Sequence, residues 1–377
     1  MANTLSNLIP DVYAALDVVS RELVGCIPGV SRDPKADRLA TNQTLRVPQT
    51  PVNTTATFTP AMAVPSAIDQ TIANATVTLS KNKYAGFSWT GEEVGSMDAG
   101  PGFLTIKQGQ IAQAFRVLVN EMENDLCDAI AAGASRAYGT AGTTPFASTL
   151  GDSAQVRKIL DDNGAPSSGR SLVINTAAGA ALRTLGQLTK ANEAGNSMTL
   201  RDGELLNLHG FSVRESAQIN GATAGTGASY LINEAGGYAV GSTALTLDTG
   251  TGTILAGDII TIGNHKYVVA SALAANVVTI AAPGLVAAVA NNDAVTVNAT
   301  SARNLAFTSD STVLCTRLPM FPTEGDLAID NEVITDPRTG ISFDLRVYPG
   351  DGMVLYRIHA LWGFSVLKKA HAAILLG

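Results

Sequence analysis

Aromatic side chains are scarce in this chain: 10 Phe, 8 Tyr and 2 Trp among 377 residues. Charge is scarce too, at 15% of residues against roughly a quarter in an ordinary globular domain. With 25 basic and 32 acidic residues the net charge is -7, which argues against a basic nucleic-acid-binding domain while leaving room for a local patch. Cysteine is limited to Cys26, Cys127 and Cys315. They lie far apart in sequence, in neither a disulfide framework nor a zinc spacing, and they fit a reducing compartment. Long apolar runs are missing. The richest stretch, Ala281 to Ala290, is short and contains Pro283 and Gly284, so no transmembrane helix is expected. The opening MANTLSNLIPDVY has no basic start and carries Asp11, so no signal peptide is expected either. Glycine, with 36 residues, and small apolar side chains are plentiful instead. The length allows two or three domains.

Catalytic signatures are absent as well. The four histidines, His209, His265, His359 and His371, form no HExxH and no H-x-H pair and read as surface or packing residues, with no nearby thiols to make a zinc site. The glycine-rich stretches Gly91 to Gly102 and Gly221 to Gly227 match neither a dinucleotide fingerprint nor a phosphate loop. The first reads as a flexible turn before a helix. No G-x-S-x-G occurs. Cys127 lies near an apolar stripe and reads as core. Glu121, Glu123, Asp125 and Asp128 share one helical segment, where Glu121 and Asp125 are four apart and Asp125 and Asp128 three apart. Nothing in the sequence completes a site around them, so a solvated or intersubunit ion-pairing face is expected. Glu92 and Glu93, and the group Asp326, Asp330 and Glu332, read the same way. No calcium-loop spacing is present. The expectation is therefore of a protein that is not an enzyme, with no catalytic, cofactor-binding or metal residues.

Periodicity sketches an α+β chain. Residues 4 to 25 read as an amphipathic helix and Ser31 to Thr50 as a polar, irregular arm. Pro51 to Gly91 reads as an extended two-stranded β element, with strands over Ile72 to Leu79 and Lys81 to Trp89 and too few large side chains for a core of its own. From Gly109 to Tyr138, Ile111, Phe115, Leu118, Met122, Leu126 and Ile130 recur at helical spacing, broadened by Val117 and Val119, with Gly133 and Gly139 as the places to fray and end. A second helix over 151 to 163 is capped by Asp152 or Ser153. A buried strand over Arg170 to Asn175 follows, then a helix capped by Asn175 or Thr176, and another strand near Phe211 to Val213. Between Gly221 and Thr300 short runs (Thr243 to Leu247, Ile259 to Ile262, Lys266 to Val269, Val277 to Ile280, Ala294 to Val297) predict a small barrel or sandwich inserted into the chain. Towards the C-terminus, strands are expected at Thr312 to Leu318, Met353 to His359 and Ser365 to Ala370. A further strand over Ile341 to Tyr348, alternating and half-buried, lies among them, and the apolar end is expected to dock. Extended elements with little core of their own point to an obligate assembly.

These residues carry a resemblance. NLIPDVYAALDVVSRELVG, FLTIKQGQIAQAFRVLVNEMENDLCDAI, RSLVINTAAGAALRTLG, ARNLAFTSDSTVLCTRLP and GISFDLRVYPGDGMVLYRIHALWGFSVLKKAHAAIL together resemble, in order and spacing, the major capsid proteins of tailed bacteriophages. The nearest likeness is to the coat-protein family of the short-tailed Salmonella phage, with its Hong Kong 97-like capsid fold. The resemblance implies an N-terminal arm at 1–50, an extended β loop at 51–95, and a spine helix with part of a peripheral domain at 96–150. It further implies an axial domain beginning at 151–220, an inserted β-barrel at 221–303, and peripheral strands returning to the axial domain at 304–377. It implies a coat protein that self-assembles into pentamers and hexamers of an icosahedral shell around double-stranded DNA, made in the host cytoplasm, with scaffolding and portal proteins as assembly partners, a decoration protein as a further possible one, and no membrane. Arg32, Lys35 and Arg38 would face inward or touch scaffold, or form a neutral arm. A covalent crosslink of the kind some related capsids make, from Lys81 or Lys83 to Asn331, is not expected in this branch. The alternatives are an encapsulin-like compartment shell and, from a different class, a β-rich binding or adhesin-like protein, which the scarcity of aromatics and the lack of a paired-carboxylate site disfavour.

Overall fold

Three sheets and one long helix organise the computed structural model, which describes residues 25–49, 73–98, 103–189, 207–336 and 339–377 together with positions 55, 57 and 60. The helix expected at 4–25 lies, but for Gly25, outside the described residues, as does most of 50–72. A 3-10 turn at Ile27–Gly29 leads into β1 (Ser31–Leu39), β2 (Thr44–Gln49), β3 (Ala73–Thr78) and β4 (Lys81–Thr90). Two helices follow, α1 (Gly91–Asp98) and α2 (Phe103–Gly133). Then come β5 (Arg136–Tyr138), α3 (Gly151–Asp162), β6 (Arg170–Ile174), α4 (Thr176–Thr184), α5 (Gly186–Thr189) and β7 (Ser212–Glu215). The insertion holds β8 (Gly221–Ala222), β9 (Tyr230–Ile232), β10 (Ala244–Asp248), β11 (Ile259–Ile262), β12 (His265–Ala274), β13 (Val277–Ile280) and β14 (Ala294–Val297). The chain finishes with β15 (Ser301–Thr308), β16 (Thr312–Pro319), β17 (Asp330–Thr335), β18 (Ser342–Gly350), β19 (Met353–Val366), a 3-10 turn at Lys369–His371 and β20 (Ala372–Leu376).

Strands β1, β16, β19, β18 and β17 form one sheet in that order, with β4 added along β19. Helix α2 lies across it. Ile111, Phe115, Leu118, Met122, Leu126 and Ile130 are all buried in the core they share with Phe343, Leu345, Ile358 and Trp362. At roughly 1.5–3 kcal/mol for each fully buried side chain, this stripe supplies on the order of 10 kcal/mol. The helix has 31 residues, roughly 46 Å at 1.5 Å per residue. Two sequence expectations need correcting here. The helix stops at Gly133, and Arg136–Tyr138 is a strand. Val117, expected to broaden the apolar stripe, is exposed, whereas Val119 packs against the core.

The polar arm is not irregular. β1 pairs in parallel with β16, and β2 pairs with β3. β3 and β4, expected to pair with each other, part at Leu79 and Ser80, and β4 instead runs antiparallel to ten residues of β19. The two-stranded ribbon touches the main sheet where β19 passes Thr78. A side chain at Gly363 would put its Cβ 2.1 Å from the Thr78 carbonyl oxygen, so only glycine permits that approach. The glycine turn expected before α2 is in its described part a helix, α1. It is opened by a reciprocal cap in which the Glu93 amide donates to Thr90 Oγ1 at 3.3 Å and the Thr90 amide donates to Glu93 Oε2 at 2.9 Å.

The second sheet contains a closed ring. β11, β14, β9, β10, β13 and β12 follow one another, and β12 pairs back to β11, so the six strands leave no free edge between them. Ile232, Leu247, Ile260, Ile262, Tyr267, Val278 and Ile280 fill the ring. β12 also pairs with β5, and the sheet continues through β20, β15, β6 and β7. β20 is wholly buried between β5 and β15. Asn175 Oδ1 caps α4 by accepting from the Ala178 amide at 2.9 Å. Neither Asp152 nor Ser153 caps α3: Asp152 accepts from the Phe146 amide, and the Ser153 hydroxyl donates to the Leu150 carbonyl. Ser365–Ala370 is no strand of its own. β19 runs on to Val366, and the 3-10 turn at Lys369–His371 then redirects the chain into β20.

Candidate functional site

The acidic face of α2 is where separate parts of the chain are fastened together. Residues 121 and 125 stack one turn apart, while 123 sits about 200° round the helix from 121. The four acids therefore act on different sides. Asp125 receives Lys81 Nζ at 3.2 Å and the Trp362 indole N–H at 3.1 Å. Glu121 meets Lys83 Nζ at 3.2 Å. These contacts are intrachain and hold β4 on the helix; the Glu121–Lys83 pair lies on a solvated face, whereas Asp125 is mostly covered. Lys81 and Lys83 are thereby engaged, and Asn331 lies on β17, in register with Arg346 on β18. On the other side, the fully buried Glu123 carboxylate accepts the amides of Gly25 at 2.8 Å, Cys26 at 2.5 Å and Ile27 at 2.9 Å. It anchors the turn that opens β1. Farther along, Asn124 Oδ1 accepts from Asn220 Nδ2 at 2.7 Å. Burial, reinforced by the charge of Asp125 and opposed by Arg303, raises the Asp128 carboxyl above its ordinary value.

A second cluster joins β1 to β18. Asp344, fully buried, takes both guanidinium nitrogens of Arg38, at 2.8 and 3.0 Å, and Arg346 Nε at 2.7 Å. Arg346 Nη1 reaches Asp326 at 3.2 Å, and the Tyr348 hydroxyl donates to Asp326 at 2.7 Å. The Phe321 ring contacts both guanidiniums, its centroid 3.8 Å from Arg38 and 4.3 Å from Arg346. Burial raises the Asp326 carboxyl, but hydrogen bonds from Tyr348 and the Leu327 amide and the Arg346 charge outweigh it, and the net displacement is downward. β18 is therefore not half-buried: Ser342 through Val347 are all buried, charged residues included. Of the arm's basic residues, Arg38 is spent on Asp344, and Lys35 lies 3.9 Å from Asp33, which itself binds Arg317 at 2.6 Å.

The segment between β16 and β17 turns this arrangement inside out. Its polar and aromatic groups, Asp326 and Phe321, are drawn into the network, while Met320, Leu327 and Ile329 are 55%, 87% and 64% exposed. A further apolar feature is a cavity of about 470 Å³ at the far end of the sheet, lined by Trp89, Val94, Pro349, Met353 and Tyr356 among others.

The histidines remain dispersed. His209 Nδ1 is 2.8 Å from Ser153 Oγ. His265 begins β12, and His371 lies 3.7 Å from Asp310. His359 stacks on Tyr84 at 5.4 Å, and burial, with the charge of Arg346, lowers its proton affinity to about 4. Asp330 and Glu332 lie on β17 and are not drawn into the network with Asp326. Gly221 belongs to β8, and the Gly225 amide binds the buried Asp258 carboxylate at 3.1 Å, a structural use of that glycine-rich stretch. Among the described residues, the one group with metal-ligand proximity is Cys26, Glu123 and Cys127. Sequence reasoning missed it, because its members are about a hundred positions apart, and Glu123 looked like one of four equivalent acids. Among the described residues no helix is long and apolar enough to cross a membrane.

No protein-family model matches the chain, and no curated protein matches it. Solved structures with a similar chain path include that of Mycobacterium phage Che8, at a TM-score of 0.49 and 13% identity over 89% of this chain and 84% of that one. The capsid structure of the cyanophage P-SCSP1u follows at a TM-score of 0.47 and 11% identity, covering 92% of this chain and 86% of that one. A virus-like particle from Pyrococcus furiosus is similar at a TM-score of 0.44 and 8% identity, covering 97% of each chain. Likeness of this degree carries no inference about function.

Proposed function

We propose that the chain is a major capsid protein of a tailed bacteriophage, many copies of which close into an icosahedral shell of pentamers and hexamers around double-stranded DNA. The observation that carries this reading is the segment between β16 and β17. Its charged and aromatic groups are locked inward by Arg38, Asp344 and Arg346, while Met320, Leu327 and Ile329 face solvent. Apolar side chains held outward on a braced segment suit a permanent contact between copies better than a lone monomer. The order and spacing of the sequence segments that resemble phage coat proteins support the reading independently. Scaffolding and portal proteins would be partners during assembly, a decoration protein a further one, and the net charge of -7 suits a container that does not grip its DNA.

The test is expression of the chain together with the scaffolding and portal candidates encoded beside it, followed by cryo-electron microscopy. Closed shells of pentamers and hexamers are expected, and a Leu327→Asp, Ile329→Asp variant should give soluble, unassembled chains. Small oligomers alone from the parent chain would overturn the reading. Shells that enclose a protein cargo and never DNA would favour a compartment protein instead.

A further inference from the structure

The contact between Cys26 and Cys127 has no part in the capsid reading. Their sulfur atoms are 2.6 Å apart, both residues are buried, and both are free thiols. Neither is placed by chance. Cys26 is fixed because its own amide and those of Gly25 and Ile27 are held by Glu123. Cys127 stands one helical turn from Glu123 on the same face of α2. An ion in this cluster fits poorly. Two thiolates on one zinc stand roughly 3.8 Å apart when each bond is about 2.3 Å, whereas these sulfurs touch, and the carboxylate oxygens already accept three amides.

The surface opens towards one of the two. A cavity of about 280 Å³ is lined by Cys127, Asp128, Ile219, Asn220, Gly257 and Arg303. Arg303 and Asp128 give this cavity a polar wall beside Cys127. Burial raises the Cys26 thiol well above its ordinary value, helped by Cys127 and Glu123. The hydrogen bond with Cys26 pulls the Cys127 thiol down, but burial and the charges of Glu123 and Asp128 outweigh it, and the net displacement is upward. Both groups therefore rest as thiols and react slowly.

We propose that Cys26 and Cys127 form a reversible thiol–disulfide pair, closed by low-molecular-weight disulfides such as glutathione disulfide entering from the Arg303 side, which fastens the segment leading into β1 to α2. Cys127, giving up its proton, attacks one sulfur of the oxidant; the oxidant's S–S bond breaks, and one glutathione leaves and takes up that proton. Cys26, losing its proton in turn, attacks the Cys127 sulfur of the mixed disulfide, and the second glutathione leaves with it. The two cysteines lose two protons and two electrons, and the oxidant gains them. The bond would close a loop of 101 residues that contains β1 to β4 and α1.

The folded full-length chain is incubated with glutathione disulfide at mildly alkaline pH, quenched with acid, alkylated in denaturant, digested and read by mass spectrometry. A peptide pair linking Cys26 to Cys127 is expected, with Cys315 alkylated, and dithiothreitol should remove the link. In Cys26→Ser the same treatment should leave glutathione on Cys127. The oxidised parent should melt several degrees above the reduced one, a shift absent in Cys26→Ser. Quantitative alkylation of both Cys26 and Cys127 after treatment, or glutathione retained on Cys26 rather than Cys127 in Cys127→Ser and Cys26→Ser compared side by side, would overturn the proposal.

Discussion

Replacing Asp344 by asparagine removes the one anion that two guanidiniums share. In the parent, Asp344 Oδ2 accepts from Arg38 at 2.8 Å and from Arg346 at 2.7 Å, and Oδ1 accepts from Arg38 at 3.0 Å. Asparagine keeps the shape, turns one acceptor into a donor, and leaves two cations against the Phe321 ring without their shared anion. Breaking a buried pair by removing one partner costs about 3–5 kcal/mol. The lower end applies here. Arg38 keeps 23% of its side-chain exposure and can rehydrate, and Arg346 keeps Asp326 at 3.2 Å. At about 2.1 cal/mol/K of unfolding entropy per residue, a loss of about 3 kcal/mol corresponds to a fall in melting temperature of roughly 4 °C for a chain of this size. Calorimetry of the unassembled chain at neutral pH measures it. The triple replacement Arg38→Met, Asp344→Leu, Arg346→Met should recover most of the loss, because a buried ion cluster exchanged for apolar groups of similar volume is close to neutral. If Asp344→Asn melts within a degree of the parent, the network does not brace the segment between β16 and β17, and the outward hold on Leu327 and Ile329 has lost its cause.

Glu121→Gln should change stability by less than about 0.5 kcal/mol, since its pair with Lys83 is exposed; Glu123→Gln should cost about 2–4 kcal/mol, since a buried amide is left facing a donor, and equal effects in denaturant melts would contradict the two-sided reading of α2. His359, lowered to about 4 by burial and by Arg346 from an ordinary 6.5, is neutral in both states above pH 6.5. As pH falls from 6.5 to about 4 the unfolded chain takes the proton first, so stability is lost across that window, by less than the full shift implies because the ring is partly exposed; His359→Phe should flatten the melting temperature across that window, and an unchanged slope would refute the assignment. Thr90→Ala removes half of the reciprocal cap on α1 and should speed amide exchange in its first turn roughly five-fold; exchange at the parent rate would mean that the cap does not hold the helix.

What could be read from sequence, and what could not, divides along the range of the interactions involved. The stripe from Ile111 to Ile130 declares its helix, because helical periodicity is local and every member faces one core. The strands at Ile259, Val277 and Ala294 declare themselves as short runs of four residues set off by turns. β9 escaped, because Tyr230 to Ile232 is too short to show a period and exists by pairing with β10 and β14. β1 was read as an irregular arm because SRDPKADRL has no apolar face. It is a strand only because β16 lies alongside it and Arg317 and Asp344 satisfy Asp33 and Arg38. The alternation in β18 was legible and its meaning was not. Period two shows that Ser342, Asp344 and Arg346 share a face, but burial of that face depends on a loop some twenty residues upstream in sequence folding over it. The same limit hid the site: only the folded path brings Cys26 to Cys127.

The insertion shows how composition can mislead about independence. Its low charge and short strands set it apart, and its ring of six strands closes on itself. Yet Lys266 and Tyr267 of β12 pair with Ala137 and Arg136 of β5, and Ile259, Val268 and Ala281 belong to the core that α2 builds. Arg303 Nη1 donates to the Gly257 carbonyl at 2.7 Å across the junction. A domain tethered by linkers would share neither ladder nor core. The ring is therefore seated by the strand that follows α2, and its stance is set by the same helix that grips β4 through Asp125 and the turn opening β1 through Glu123. A shift along α2 would be felt at all three attachments together, since close-packed contacts of this kind do not yield one at a time. That coupling follows from where the acids fall around one helix, two positions apart and facing opposite ways.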